Sequence, residues 1–233
     1  MNVVGFDSAT DDTVVAALAG DKVEFESRVG PGPDGRPEHT RTLLAGIGDA
    51  VDSLGGWQAV DRIAVGLGPG TFTGLRIAVS TATGLSISTG TVAVGVSTLD
   101  ALARSMTAGE ATVVPMLDAR RGEVFMTARA ADGGLLLPPA ALSPEDALES
   151  IRSLTGPLRV GGPGAVRFRD LFADAGIRID DPESEKGRLS GVAICEIGAA
   201  AGEPPPDEPL EPIYIREPDA KLWLERDARP AAG

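Results

Sequence analysis

"GLGPGTFTGLRIAVSTATGLSIS", Gly66 to Ser88, holds five glycines and a single charged residue, Arg76. It opens like a loop that cradles phosphate and continues like a helix with almost no polar face. A Walker A loop needs Lys followed by Ser or Thr after its last glycine, so that the ammonium reaches phosphate and the hydroxyl holds Mg²⁺. No lysine occurs between Lys22 and Lys186, which excludes that motif here. The dinucleotide pattern G-x-G-x-x-G would need its third glycine at Thr73, but the glycine comes one residue late at Gly74. The backbone amides at the helix start could still bind an anion. The helix says more than its loop. Gly74, Ala78, Ala82 and Ser86 recur at four-residue spacing, while Leu75, Ile77, Val79, Leu85 and Ile87 spread apolar bulk in other directions. A helix that is apolar or small all round is covered on every side. A sheet covers one side; a neighbouring helix such as 39–54, or another protein, must cover the rest.

Outward from this stretch the chain alternates between strand and helix patterns. "NVVGF", "TVVAALA" and "KVEFES" read as three consecutive strands. Leu43, Ile47, Ala50 and Leu54 recur at spacings of four, three and four, which predicts a helix from His39 to Leu54. "RIAVGLG" and "TVAVGV" are strands on either side of the helix at 73–88, and Ser97 is placed to cap the next helix, with Asp100 three residues on. The first hundred residues thus read β-β-β-α-β-α-β-α. A second series starts with strands near Val113–Met116 and Glu123–Ala128, followed by a helix start at Ser143-Pro144-Glu145. "LRVGG" and the helix-like "SGVAICEIGAAA" continue it, and "GEPPPDEPLEP" is a proline-rich connector. Two series suggest two lobes, although pattern alone also permits one mixed-sheet domain.

Bulk properties narrow the function. The chain has 233 residues and a net charge of −13, so it repels polyphosphate unless its few bases cluster. No run approaches eighteen uninterrupted apolar residues, "MNVVGFDSAT" lacks the basic start of a signal peptide, and the lone Cys195 cannot form an internal disulfide. A soluble cytoplasmic protein is expected. The single histidine, His39, has Leu43 rather than a second imidazole one helical turn on. "DSAT", Asp7 to Thr10, is either a phosphate-facing turn or a capped turn into a hairpin. "DARRGEV", Asp118 to Val124, suggests a salt bridge before it suggests acid–base catalysis.

Taken together, "FDSAT", "PEHTRTLL", "GLGPGTFTGLRIAVSTATGLS", "GVSTLDALA", "LDARRGEVF" and "EPIYIRE...W" strongly resemble, in family order, the signature of the bacterial TsaB (YeaZ) family. The resemblance implies an α/β, two-lobed actin/Hsp70-like (ASKHA) fold, each lobe a mixed β-sheet flanked by helices. The lobes are expected at 1–106 and 107–212, with the tail 213–233 packing back on the first. It implies a non-catalytic subunit that pairs with TsaD and keeps it active in transferring a threonylcarbamoyl group to tRNA adenosine. The TsaE ATPase joins that assembly, tRNA is met only through the complex, and the chain alone forms homodimers. The expected partner interface is His39, Leu43, Ile47, Ala50 and Leu54 on one helix, with Thr73, Gly74, Arg76, Ile77, Ala78, Thr81, Ala82 and Leu85 on the other. TsaD-like proteins hold their metal with two histidines one turn apart, so Leu43 implies no metal here. "DSAT" lacks the glycine usual in the superfamily's phosphate turn. Asp7, Ser8, Thr10, Gly68 and Gly70 are then at most a degenerate nucleotide site, with ATP or ADP expected only in complex with partner subunits and no intrinsic cofactor.

Overall fold

A computed structural model of the chain describes residues 1–106, 109–180, 187–205 and 209–216. Central strands with apolar residues on both faces organise it. β1 (Asn2–Asp7) pairs antiparallel with β2 (Thr13–Ala19), which pairs antiparallel with β3 (Lys22–Val29). On its other edge β1 runs parallel to β4 (Arg62–Gly68), and β4 parallel to β5 (Val92–Ser97), giving the order β3-β2-β1-β4-β5. The second sheet repeats the scheme with one strand fewer, in the order β8-β7-β6-β9. There β6 (Thr112–Arg120) is antiparallel to β7 (Glu123–Arg129), β7 antiparallel to β8 (Leu135–Leu142), and β6 parallel to β9 (Leu158–Gly161).

Alternation along the strands sorts the helices by face. Val4, Phe6, Val15, Ala17, Ile63 and Val65 point to α1 (His39–Ser53) and α2 (Phe72–Thr89). Val3, Val14, Ala16, Ala64 and Val94 point the other way, to α3 (Thr98–Met106) and, from further along the chain, α7 (Gly191–Ala200). The apolar cluster around α3 continues into Val113, Leu117 and Phe125 of the second sheet, so α3 joins the two halves. Ser97 accepts from the Asp100 amide at 3.3 Å, as its spacing predicts. The far face of the second sheet packs on α4 (Pro144–Arg152), α5 (Pro163–Arg167) and α6 (Arg169–Asp174), with Ser143 capping α4.

α7 departs from its expected place. Chain order put residues 191–200 in the second lobe, but the helix packs on β1, β2 and β4 of the first sheet and on α3. Its composition explains this: apolar on nearly every side, it needs two covering surfaces and finds them there. Gly5 permits the approach, since a Cβ on it would sit 2.6 Å from the Cys195 sulfur. Arg62 then anchors the helix end. Only 4% exposed, it donates to the carbonyls of Gly198 (2.9 Å) and Ala201 (2.6 Å), a buried cation against the negative end of the helix. Cys195 is a packed core residue, and burial pushes its thiol up to about 12.

Past the proline-rich segment, the Ile213 amide donates to the Leu67 carbonyl at 2.7 Å and the Tyr214 ring stands 5.8 Å from Phe72. Arg216 pairs with Glu123 of β7 at 2.6 Å, so residues 213–216 touch both sheets' elements. The remainder of the expected returning tail, including Trp223 and Leu224, lies outside the described residues. No helix among the described residues is long and apolar enough to cross a membrane.

Candidate functional site

The turn after β1 and the glycine loop before α2 meet face to face, and the chain itself fills the space between them. The Thr71 amide donates to the Ala9 carbonyl (2.7 Å), and the Ser8 hydroxyl donates to the Gly74 carbonyl (2.9 Å). A Cβ on Gly70 would lie 2.3 Å from the Ala9 carbonyl oxygen, and one on Gly74 only 1.8 Å from that of Ser8. These glycines serve close contact within the chain. Of the expected nucleotide set, Asp7 and Ser8 are fully buried. Gly68 has a φ of 99° and donates its amide to Thr98 Oγ1 at 3.1 Å. Thr10 and Gly70 do line a cleft between the two halves of the molecule, with Asp11, Asp12 and Arg120. The structure therefore seals Asp7 and Ser8 away from any cleft ligand and leaves only Thr10 and Gly70 at its wall.

Asp7 is a structural acid. Thr98 Oγ1 donates to its Oδ2 at 2.6 Å and the Ala9 amide to its Oδ1, while a Cβ on Gly66 would overlap the carboxylate. Burial raises its pKa from 3.8 to about 6, against the lowering effect of the Thr98 and Ala9 hydrogen bonds. Because the folded value lies above the unfolded one, this group's stabilising contribution is full below about pH 3.8 and is lost as pH rises through 6. Asp7→Asn keeps an acceptor for Ala9 and does not titrate. In urea titrations it should gain on the wild type by about 2 kcal/mol between pH 4 and pH 7. A difference that stays constant across that range would contradict the assignment.

His39 is 5% exposed, with its Nδ1 2.8 Å from the Thr13 hydroxyl. Burial lowers its pKa, partly offset by the Thr10 backbone, Asp11 and Asp12. It ties the start of α1 to the β1–β2 turn. Among the described residues no three His, Cys, Asp or Glu side chains gather into a metal-binding group.

The two expected docking helices do lie side by side on the first sheet, but the residues named for docking are mostly their inner faces. His39, Leu43, Ile47 and Ala50 on α1, and Gly74, Ala78 and Ala82 on α2, are buried against the chain's own turn and strands. The small-residue stripe thus admits this chain's own sheet. Val79 is buried as well, so a glutamate there would disrupt the core rather than report on docking. Leu54, Ile77, Thr81 and Leu85 are half-buried, and only Thr73 and Arg76 of the expected set are exposed, Arg76 standing 4.1 Å over the Phe72 ring. On α2 this placement has a physical source: a helix without a polar face carries no phase to say which side faces in.

The outward face consists of residues the periodicity did not mark. Leu44 (62% exposed) and Ile87 (81%) stand in solvent, with Gly48 exposed on α1 and Ser80, Thr83 and Gly84 exposed on α2. Gly48 and Gly84 sit mid-helix, and a Cβ on either would meet nothing within 4 Å. Each costs its helix about 1 kcal/mol relative to alanine, with no return inside this chain. Exposed mid-helix glycines, rather than a small-residue repeat, are the signal that could have found this face.

With this geometry in place, comparison with known proteins is informative. Residues 35–155 match the family described as TsaD: tRNA N6-adenosine threonylcarbamoyltransferase. The tRNA threonylcarbamoyladenosine biosynthesis protein TsaB of Bacillus subtilis (strain 168) is 33% identical over 175 residues, 72% of this chain and 75% of that protein. The chain belongs to the TsaB/YeaZ family. The TsaB of Escherichia coli (strain K12) is 28% identical over 225 residues, 93% of this chain and 95% of its own length. YeaZ from Pseudomonas aeruginosa superposes with a TM-score of 0.70 at 24% identity, covering 91% of this chain and 99% of that one. The ROK hexokinase of Thermus thermophilus shares the fold at a TM-score of 0.50 and 14% identity, covering 86% and 99%. The two mixed sheets flanked by helices are thus the actin-like architecture expected from the TsaB/YeaZ resemblance.

Proposed function

We propose that this chain is a non-catalytic subunit of threonylcarbamoyladenosine biosynthesis, pairing with TsaD and activating it for transfer of the threonylcarbamoyl group to tRNA adenosine. The observation that carries the docking half of this reading is the pair of exposed mid-helix glycines, Gly48 and Gly84, beside Leu44 and Ile87. Two helices that forgo stability to keep their outer backbones bare are suited to close approach by another backbone. The exposed apolar side chains gain on burial there. The same face would hold a second copy of this chain when TsaD is absent.

The non-catalytic half is supported by the sealed Asp7 and by a phosphate turn occupied by the chain's own loop. In this reading the first lobe is 1–106 supplemented by α7, the second begins at 107, and the tail from 213 returns to the first. TsaE and tRNA are met through the assembled complex in the cytoplasm, and ATP or ADP only there. The test is threonylcarbamoyl transfer from threonylcarbamoyl-adenylate to tRNA, with TsaD alone, this chain alone and both together. Transfer should require both proteins. Transfer by this chain alone, or full activity of TsaD without it, would overturn the proposal.

A further inference from the structure

Aromatic rings that face water stand together on this molecule. Among the described residues the exposed aromatic side chains are Phe72 (45% exposed) and Tyr214 (43%), and every other described aromatic is buried or half-buried. The two come from distant parts of the chain, yet their ring centroids lie 5.8 Å apart with the planes tilted by 32°. Arg76, one helical turn beyond Phe72, holds its guanidinium carbon 4.1 Å from the Phe72 centroid, a cation over a π face. The Ile213–Leu67 backbone hydrogen bond fixes the segment that carries Tyr214.

Both rings open on a cavity of about 470 Å³, the size of a small-ligand site. Its charged lining is Arg120, Arg121 and Arg216 against a single acid, Asp118, which Arg167 already answers at 2.6 Å. Arg120 and Arg216 are held in place by Asp11 and Glu123. An arginine carries five N–H donors, so each keeps some for a further anion. The chain as a whole has a net charge of −13, so three arginines around one aromatic cavity run against its average. Rings alone would suit an apolar protein side chain, and cations alone a bare phosphate. The two side by side suit a flat aromatic group joined to an anion, which is a nucleotide. A free nucleotide finds little else here, because the phosphate turn is filled by the chain's own loop. A base within a strand gains from exposed rings, and its neighbouring phosphates each meet a cation.

We propose that Phe72 and Tyr214 form a stacking platform for an unpaired base of single-stranded RNA, with Arg120, Arg121 and Arg216 taking the flanking phosphates. The contact rests on the role proposed above only for the identity of the RNA, which there is tRNA. Assembly with TsaD brings the tRNA, and within the complex this chain touches the strand directly.

The test titrates the isolated full chain, at low salt, against a short single-stranded oligoribonucleotide carrying 2-aminopurine, whose fluorescence falls on stacking. The parent should quench it, and added salt should reverse the quenching. Phe72→Ala, Tyr214→Ala and Tyr214→Leu should each weaken binding about tenfold, while Tyr214→Phe should bind like the parent, since the ring and not its bulk or hydroxyl is needed. Arg120→Gln should lower the slope of log K against log salt by about 0.7, the loss of one phosphate contact. The free 2-aminopurine riboside monophosphate should bind at least about tenfold more weakly than the strand. In a second arm, Tyr214→Ala should pair with TsaD as the parent does in a calorimetric titration, and the complex should show a KM for tRNA raised about tenfold with kcat little changed. No quenching by the parent, equal quenching by Tyr214→Ala, or equal affinity for the monophosphate would overturn the proposal. So would loss of TsaD pairing in Tyr214→Ala with oligoribonucleotide binding unchanged, which would give the ring pair to a protein partner. Transfer that does not need this chain would contradict the role above while leaving the oligoribonucleotide result standing.

Discussion

Gly84→Glu is expected to weaken association with TsaD by about 100-fold or more while making the isolated chain more stable. The two effects have separate causes. Inside the chain, a side chain at Gly84 meets nothing within 4 Å. Replacing a helix-interior glycine then returns about 0.5–1 kcal/mol of helix propensity. In a complex built on the outer face of α2, the same side chain would stand between two backbones. Its carboxylate would also be desolvated without a partner, a cost of about 3–5 kcal/mol. Calorimetric titration against TsaD and a thermal melt of the free variant read the two effects independently. Retained affinity would remove α2 from the interface, and a lowered melting temperature would mean that the face is already covered by this chain.

Ten residues earlier on the same helix, Gly74→Ala should do the reverse and destabilise the chain by about 3 kcal/mol or more. The added methyl would fall 1.8 Å from the Ser8 carbonyl oxygen and 2.6 Å from Thr71 Oγ1. Ser8 is backbone at the end of the central strand, so no side-chain rotation relieves the overlap. The turn and α2 must separate, breaking the Ser8–Gly74 and Thr71–Ala9 hydrogen bonds that join them and disturbing the Asp7 site beneath. Urea denaturation compares Gly74→Ala with Gly84→Ala directly. Opposite signs for one chemical change on one helix would establish which glycine serves the interior and which the exterior; equal effects would refute the assignment.

These two glycines also mark how far the sequence can be read. Elements were legible because strand and helix periods are local: the helix expected at His39–Leu54 runs His39–Ser53, and that expected at 73–88 runs Phe72–Thr89. The resemblance carried the fold. The face of each helix was not legible in the same way. On α1 the apolar repeat marks the core, so Leu43, Ile47 and Ala50 were drawn into the docking set by the very feature that buries them. On α2 bulk surrounds the axis, and only the position of Ser8 and Ala9 relative to Gly70 and Gly74 shows which side packs inward. α7 could not be placed because its partners in β1, β2 and β4 are more than a hundred residues away along the chain. The Arg120–Arg121 turn reads in sequence as an ordinary charged hairpin, and it is one; only its tie to Asp11 is a tertiary fact.

The central claim is that the outer faces of α1 and α2 are where TsaD sits, and thiol footprinting tests it most directly. Ser80 is exposed midway along α2, Glu149 is exposed on α4, and the native Cys195 is buried with its thiol pushed up to about 12, so it stays silent. Maleimide labelling of Ser80→Cys should be suppressed at least tenfold by saturating TsaD while Glu149→Cys labels at its free rate. Unchanged labelling at Ser80→Cys in a complex shown to be formed would place TsaD elsewhere and contradict the account.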